Sequence, residues 1–247
     1  MTSPDAPDSP DRAPEGGSRG EADVAGNERL TALAGAVLLV LFAVEIVTLI
    51  QLRSLMPLHF FVGVLLIGPV AVKTASTGWR FVRYYARHPA YRRKGPPNPV
   101  MRVLSPLLLA FTVAVIGSGV ALAFTGPAPA LLLRIHVVSF LGWLVLILVH
   151  VVVYVSRVPR LIAEDWRNRR ARPAARLGPA ERIGVNVAAL VAAAIPAMLL
   201  LPTATLWAGW LEQPVTGPGV VAIVLSVAVA VAGAFRRRMS SRRRPRS

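Results

Sequence analysis

The chain of 247 residues contains no cysteine. Disulfides, iron–sulfur clusters, thiolate metal sites and a covalently attached c-type haem are therefore excluded, as are zinc fingers and thiol enzymes. Charged residues are also scarce, at 16% of the chain, whereas a soluble domain has about a quarter. Because the 54% of apolar residues lie in long uninterrupted blocks, the chain cannot be an ordinary soluble globule.

About 20 consecutive apolar residues cross a bilayer as a helix, because the backbone polar groups must then be satisfied within the segment. Stretches of this kind predict transmembrane helices at residues 30–50, 57–75, 103–124, 130–155, 183–201 and 220–235. We therefore predict an all-α integral membrane protein: a four-helix bundle over residues 30–156, plus two additional transmembrane helices over 183–235.

Acidic residues are few, 12 against 28 Lys and Arg, and the net charge of +16 is concentrated in three segments. These are the loop over 77–102, the loop over 157–182 and the tail over 236–247. The connections near Arg53, 125–129 and 207–219 are nearly uncharged. The positive-inside rule then predicts a multi-pass protein of the plasma membrane with both termini in the cytoplasm.

Residues 1–29 are rich in Pro, Gly, Ser and acids and predict a disordered cytoplasmic tail. The pI of 11.7 would suggest nucleic-acid binding in a soluble protein. Here the basic residues flank membrane spans, so anionic lipid headgroups are the expected partner and nucleic acid is not.

Ionisable side chains inside hydrocarbon are costly, so each one is a functional candidate. The predicted spans contain few of them: Glu45, His59, Lys73, Arg134, His136 and His150. His59 and His136 lie near the outer ends of two helices that run in the same direction. Two imidazoles at one depth on two helices of a bundle are the elements of a bis-histidine site for haem b. No catalytic residue is predicted.

A second spacing concerns the inner half of the bundle. His136 and His150 are 14 residues apart, which returns to within about 40° of the same helix face after a rise of about 21 Å. The residue 14 positions after His59 is Lys73, so an inner haem would pair His150 with Lys73. One haem is expected and the second is left open, since Lys73 can equally extend to the cytoplasmic headgroups.

Three further residues support the outer site. Gly117 and Gly119 would let a flat macrocycle or a neighbouring helix approach closely. Arg134 could pair with a haem propionate or, alternatively, with Glu45, which could itself serve proton transfer to a quinone. Taken singly, each histidine could be an interface anchor or a buried, hydrogen-bonded side chain.

The segment 58–63 (LHFFVG), followed by Lys73, by 76–85 (STGWRFVRYY) and by 89–97 (PAYRRKGPP), resembles actinobacterial cytochrome b561-like proteins, members of the transmembrane di-haem cytochrome group. The resemblance covers about 30–155. It implies a four-helix haem-binding bundle with His136 and His150 on its last helix. Some such modules accompany, or are fused to, molybdopterin-dependent oxidoreductases. Lys73 stands where the wider group would offer a second histidine.

We therefore expect a membrane b-type cytochrome that relays electrons between a quinone pool and an extracytoplasmic redox partner. That partner would be a separate protein, for which a molybdopterin oxidoreductase is the candidate, and the chain would be an electron-transfer subunit more than a stand-alone enzyme. The alternative is a cofactor-free scaffold or assembly subunit, or a small transporter whose second helix is kinked at Gly68-Pro69.

Overall fold

The computed structural model of the protein describes residues 15–93, 99–154, 158–167 and 177–210, with single residues at 95, 226 and 233. In chain order the helices are α1 (Glu15–Ile50), α2 (Leu52–Leu65), α3 (Ile67–Tyr85), α4 (Pro89–Arg93), α5 (Pro99–Thr125), α6 (Ala130–Tyr154), α7 (Val158–Arg167), α8 (Pro179–Leu200) and a 3-10 helix (Leu201–Trp207). These residues include no strand. The all-α fold class is confirmed.

Five segments are long and apolar enough to cross a membrane. They are α1, the pair α2–α3, α5, α6, and α8 together with the 3-10 helix. The first five predicted spans are thereby confirmed, and the protein is a multi-pass membrane protein. The sixth predicted span, 220–235, and the basic tail, 236–247, lie outside the described residues.

Helix α1 begins earlier than the sequence predicted. The predicted disordered tail over 1–29 is corrected for residues 15–29, which are helical. The reason is packing at the amino end of α1, where Val24 is buried against Ala90 and Tyr91 of α4. Asn27 also donates a hydrogen bond from Nδ2 to the carbonyl oxygen of Ser76 on α3, at 3.0 Å. The predicted loop over 157–182 likewise contains a helix, α7.

The second span is interrupted at Leu66, between α2 and α3. Pro69 has no N–H to donate to the carbonyl oxygen of Leu65, so the hydrogen-bond ladder of the helix is broken at that position. Hydrogen bonds from Leu66 to Val62 and from Val70 to Leu66 keep the chain helical on either side. The interruption lies two residues before Gly68-Pro69, where the sequence suggested a kink, and α3 continues as a helix to Tyr85.

The spans pack as an antiparallel α5–α6 hairpin beside α1 and α2, with α8 against both α2 and α3. One end of the bundle holds Gln51, the turn at Gly126 and the 3-10 helix, and we call it the Gln51 end. Gly126 has a φ of +68°, which glycine adopts without strain and which ends α5. A buried cluster at this end includes Met56, Phe60 and Leu122.

The outer surface of the bundle is apolar. Large side chains such as Val40, Leu131 and Leu199 are 64%, 72% and 74% exposed. A contiguous apolar surface of this size is unfavourable in water and is the surface that lipid tails solvate. The spans therefore contact membrane lipid.

The crossing of α3 and α8 provides a test of this packing. A methyl group at Gly68 would meet the backbone carbonyl oxygen of Ala189, so the two helices must separate when Gly68 becomes Ala. We expect Gly68→Ala to destabilise the protein by about 1–3 kcal/mol, as overpacking does.

Gly78→Ala is the matched control, because within the described residues no atom lies within 4 Å of its added methyl group. Alanine favours a helix over glycine by up to about 1 kcal/mol, so this variant should melt at or above the wild-type temperature. Thermal unfolding in detergent measures both variants. Equal melting temperatures for the two would contradict the close α3–α8 crossing.

Candidate functional site

A cavity of about 430 Å³ lies inside the bundle toward the Gln51 end. Its wall comes from α1, α2, α5, α6 and the chain around the 3-10 helix, and most of its lining is apolar. His59 from α2 and His136 from α6 both line it, so we call it the His59–His136 cavity. Its size is within the range of about 300–1,000 Å³ that is usual for ligand pockets.

The two imidazole rings lie close to each other in the wall of this cavity. Their centres are 6.4 Å apart, and the ring planes are inclined by 86°. Two imidazoles on opposite sides of one iron have ring centres about 6 Å apart, because each metal–nitrogen bond is about 2 Å long and each ring centre lies about 1 Å beyond its nitrogen. The distance between the ring centres of His59 and His136 is close to this value.

The Nδ1 atom of His59 is engaged by α1. It lies 2.7 Å from Oε1 of Glu45 and 3.2 Å from the hydroxyl of Thr48. The Thr48 hydroxyl donates its own proton to the carbonyl oxygen of Glu45, at 2.6 Å, so its oxygen accepts from His59. Both partners are acceptors, which places the proton of His59 on Nδ1 and leaves the Nε2 lone pair for a ligand.

The Nδ1 atom of His136 is engaged in the same way by α5. It lies 3.0 Å from the carbonyl oxygen of Val115 and 3.2 Å from the hydroxyl of Ser118. A carbonyl can only accept, so His136 also carries its proton on Nδ1. The Ser118 hydroxyl donates to the carbonyl oxygen of Ala114, at 2.6 Å. Two helices thus hold the two imidazoles in the tautomer that metal-ligating histidines use.

The two imidazoles, of His59 and His136, suit a metal whose other ligands come from a bound group and not from the protein. Across the described residues, no group of three or more His, Asp or Glu side chains is arranged to hold a bare metal ion. A haem needs only two protein nitrogens, because its porphyrin supplies the other four. The two imidazoles in the wall of this apolar cavity are compatible with such a group.

Two polar atoms of the cavity wall have no hydrogen-bond partner in the part of the chain that the structure describes. They are Oε2 of Glu45 and Nε1 of Trp207, and both are buried. An unsatisfied buried polar group costs about 1–3 kcal/mol, and more when it is charged. Each of these atoms therefore marks a point where a bound group could supply a partner.

Arg134 does not reach this cavity. Its side chain is exposed and lines a separate open groove between α5 and α6, beside Phe111 and Val138. Two residues turn a helix by about 200°, so Arg134 lies on the opposite side of α6 from His136. Among the described residues Glu45 forms its ion pair with His59, and none joins it to Arg134.

The two glycines of α5 have different environments. A methyl group at Gly119 would lie 3.0 Å from Cε1 of His136, so this glycine makes room for the imidazole ring itself. At Gly117 no described atom lies within 4 Å of the corresponding position. The structure therefore connects Gly119 with the cavity and leaves Gly117 apart from it.

His150 and Lys73 also lie near each other, farther along the bundle. The Lys73 ammonium is within electrostatic range of His150 and donates from Nζ to the carbonyl oxygen of Thr31, at 3.5 Å. Gly35 makes room for the ammonium, since a methyl group there would lie 2.9 Å from Nζ. The pairing of His150 with Lys73 as ligands of an inner haem stays a prediction, and Lys73 has a hydrogen-bond partner on α1.

Several residues of the site were missed by sequence reasoning. Thr48 and Ser118 hold the two imidazoles, and Thr112 accepts a hydrogen bond from Nε1 of Trp143, at 3.0 Å. A lone hydroxyl in an apolar helix gives no specific signal, because it commonly bonds to the carbonyl four residues earlier. The helical spacing of these residues could have indicated the site, because one face of α5 carries Thr112, Val115 and Gly119.

The contact between Gly119 and His136 can be tested by adding a methyl group at Gly119. Gly119→Ala should displace the imidazole and weaken its hydrogen bonds to Val115 and Ser118, which we expect to destabilise the protein by about 1–3 kcal/mol. Gly117→Ala, which adds the same methyl group to the same helix, should leave stability unchanged or raised by up to about 1 kcal/mol. Thermal unfolding in detergent separates the two; a Gly117 variant as unstable as the Gly119 variant would contradict the assignment.

Comparison with known proteins adds no further constraint on this site. No family model, no curated protein and no solved structure matches the chain. The geometry itself describes an apolar cavity in an all-α membrane protein with two imidazole side chains in its wall.

Proposed function

We propose that the protein is a membrane b-type cytochrome in which His59 and His136 hold one haem b. The observation that supports this most directly is the pair of imidazoles whose ring centres lie 6.4 Å apart in the wall of an apolar cavity. In both rings Nδ1 is already engaged, so Nε2 is the atom left for iron. The resemblance of 58–63 and 76–97 to cytochrome b561-like proteins agrees with this proposal.

His59 and His136 would hold the haem, and the haem would supply one-electron transfer chemistry. The chain's own residues orient the ligands and exclude water. Glu45 and Thr48 fix the ring of His59, and Val115 and Ser118 fix the ring of His136. The function that follows is electron transfer within a larger redox system, with no catalytic residue of its own.

We place the cavity near the extracytoplasmic face. Its residues lie at the Gln51 end of the bundle, while the described basic residues of 77–93 and 99–102 lie at the opposite end, which the positive-inside rule assigns to the cytoplasm of a plasma-membrane protein. Electrons would pass between a quinone pool and a separate extracytoplasmic redox protein, for which a molybdopterin oxidoreductase is the candidate. A second haem at His150 and Lys73 is the extension of this proposal.

The test is a reduced-minus-oxidised absorption spectrum of the purified protein, with haem quantified per chain. We expect b-type bands in the wild type, and their loss in His59→Ala and in His136→Ala because either change removes one of the two axial ligands. His88→Ala is the control: His88 lies between α3 and α4, packs against Tyr91, and should leave the spectrum unchanged.

Stoichiometry decides the number of haems. One haem per chain, retained in His150→Ala, limits the protein to the His59–His136 site. Two per chain, falling to one in His150→Ala, supports the inner site. A colourless protein after expression with ample haem would overturn the cytochrome proposal and leave a cofactor-free membrane scaffold.

The proposed orientation has its own test, made simple because the chain has no native cysteine. Ala128 and Ala86 are exposed residues at opposite ends of the bundle. In intact cells, a membrane-impermeant maleimide should label Ala128→Cys but not Ala86→Cys, and permeabilised cells should allow both. Labelling of Ala86→Cys alone in intact cells would invert the topology and place the cavity at the cytoplasmic face.

A further inference from the structure

The fifth span contributes directly to the His59–His136 cavity. After α8, the 3-10 helix carries Trp207 into the buried cluster at the Gln51 end, where its side chain is 4% exposed. The indole ring packs edge-on against Phe60, at 6.1 Å between ring centres, and Phe60 directly follows His59. Trp207 therefore forms part of the cavity wall and contacts the residue that directly follows His59.

Three indoles line this cavity, those of Trp143, Trp207 and Trp210, and the N–H groups of the first two differ in their hydrogen bonding. Nε1 of Trp143 donates to the hydroxyl of Thr112, at 3.0 Å. Nε1 of Trp207 is buried, and nothing in the described part of the chain accepts its proton. An N–H group in this position indicates an acceptor on whatever occupies the cavity.

The residues that line the cavity limit which chemical groups could be this acceptor. Among its described residues the cavity wall has no Lys and no Arg, and the Glu45 carboxylate is held by His59. Arg134, the cation that the sequence suggested for a haem propionate, lies in a different groove. A haem brings two carboxylates into this cavity, and a carboxylate in an apolar site needs an N–H or O–H donor.

We propose that Trp207 donates a hydrogen bond from Nε1 to a propionate of the haem held by His59 and His136. This inference rests on the proposed cytochrome function. It makes the fifth span part of the haem site, not only a packing element beside a four-helix bundle. Trp207 is then a positioning residue: it anchors the edge of the macrocycle while the two histidines hold the iron.

The first measurement is the rate of haem loss from the full-length holoprotein in detergent, with excess apomyoglobin as the haem acceptor. Trp207→Phe keeps an aromatic ring and removes the N–H. We expect haem loss to accelerate about tenfold, as loss of a hydrogen bond to a charged group predicts. Trp79→Phe is the control, since Trp79 is an exposed residue of α3 that stacks with Arg83; its rate should stay within about twofold of wild type.

The second measurement separates the hydrogen bond from packing. In haem-free protein, Trp143→Phe breaks an existing hydrogen bond to Thr112 and should lower the melting temperature. Trp207→Phe removes an N–H that has no acceptor there, so its melting temperature should fall less than that of Trp143→Phe. A larger fall in the Trp207 variant would mean that Trp207 acts through packing and would overturn the inference.

Haem dimethyl ester tests the acceptor itself, because its two propionates are uncharged esters. Reconstituted with this ester, wild type and Trp207→Phe should lose haem at rates closer together than they do with haem b. A ratio that stays near tenfold with the ester would show that the propionate is not the partner.

The two proposals fail in different ways. If wild type shows no b-type spectrum, the cytochrome function is wrong. If wild type and the His59 and His136 variants behave as expected but Trp207→Phe loses haem no faster than Trp79→Phe, the function stands and the role of Trp207 is wrong.

Discussion

Hydrocarbon offers no hydrogen bonds, so every polar group inside the spans has to find its partner within the protein. This constraint explains the arrangement of the His59–His136 cavity. Glu45 and Thr48 meet His59, while Val115 and Ser118 meet His136. Two buried polar atoms with no hydrogen-bond partner among the described residues, Oε2 of Glu45 and Nε1 of Trp207, lie in the wall of the same cavity. A group bound in this cavity could therefore satisfy atoms that the described part of the protein leaves without a partner.

The two imidazoles differ in what holds them. His59 has a carboxylate behind it, whereas His136 has a backbone carbonyl and a serine hydroxyl. A carboxylate makes an imidazole more basic and a stronger donor to a metal, so the two faces of a bound haem would differ electronically. This difference between the two imidazoles reflects the packing of α1 against α2. Glu45 lies beside Gly63, and a methyl group at Gly63 would lie 3.5 Å from Oε1 of Glu45.

Much of the fold and part of the site could be predicted from the sequence. The lengths of the apolar blocks predicted the described spans, and equal depth on two helices brought together His59 and His136. The amino end of α1 was mispredicted because its polar composition conceals the packing of Val24 against α4. Arg134 was assigned by distance along the chain alone, although a shift of two residues places it on the far side of α6 from His136.

The sequence by itself determined that this chain is an all-α membrane protein with rare titratable residues at two levels, because apolar length and the cost of buried charge are local properties. Only the tertiary structure decided which atoms of those residues are engaged. The proton on Nδ1 of each histidine, the pairing of Glu45 with His59 and the buried N–H of Trp207 depend on contacts between helices that are distant in sequence. Helix rotation and packing set those contacts, and neither is encoded by the spacing within any one span.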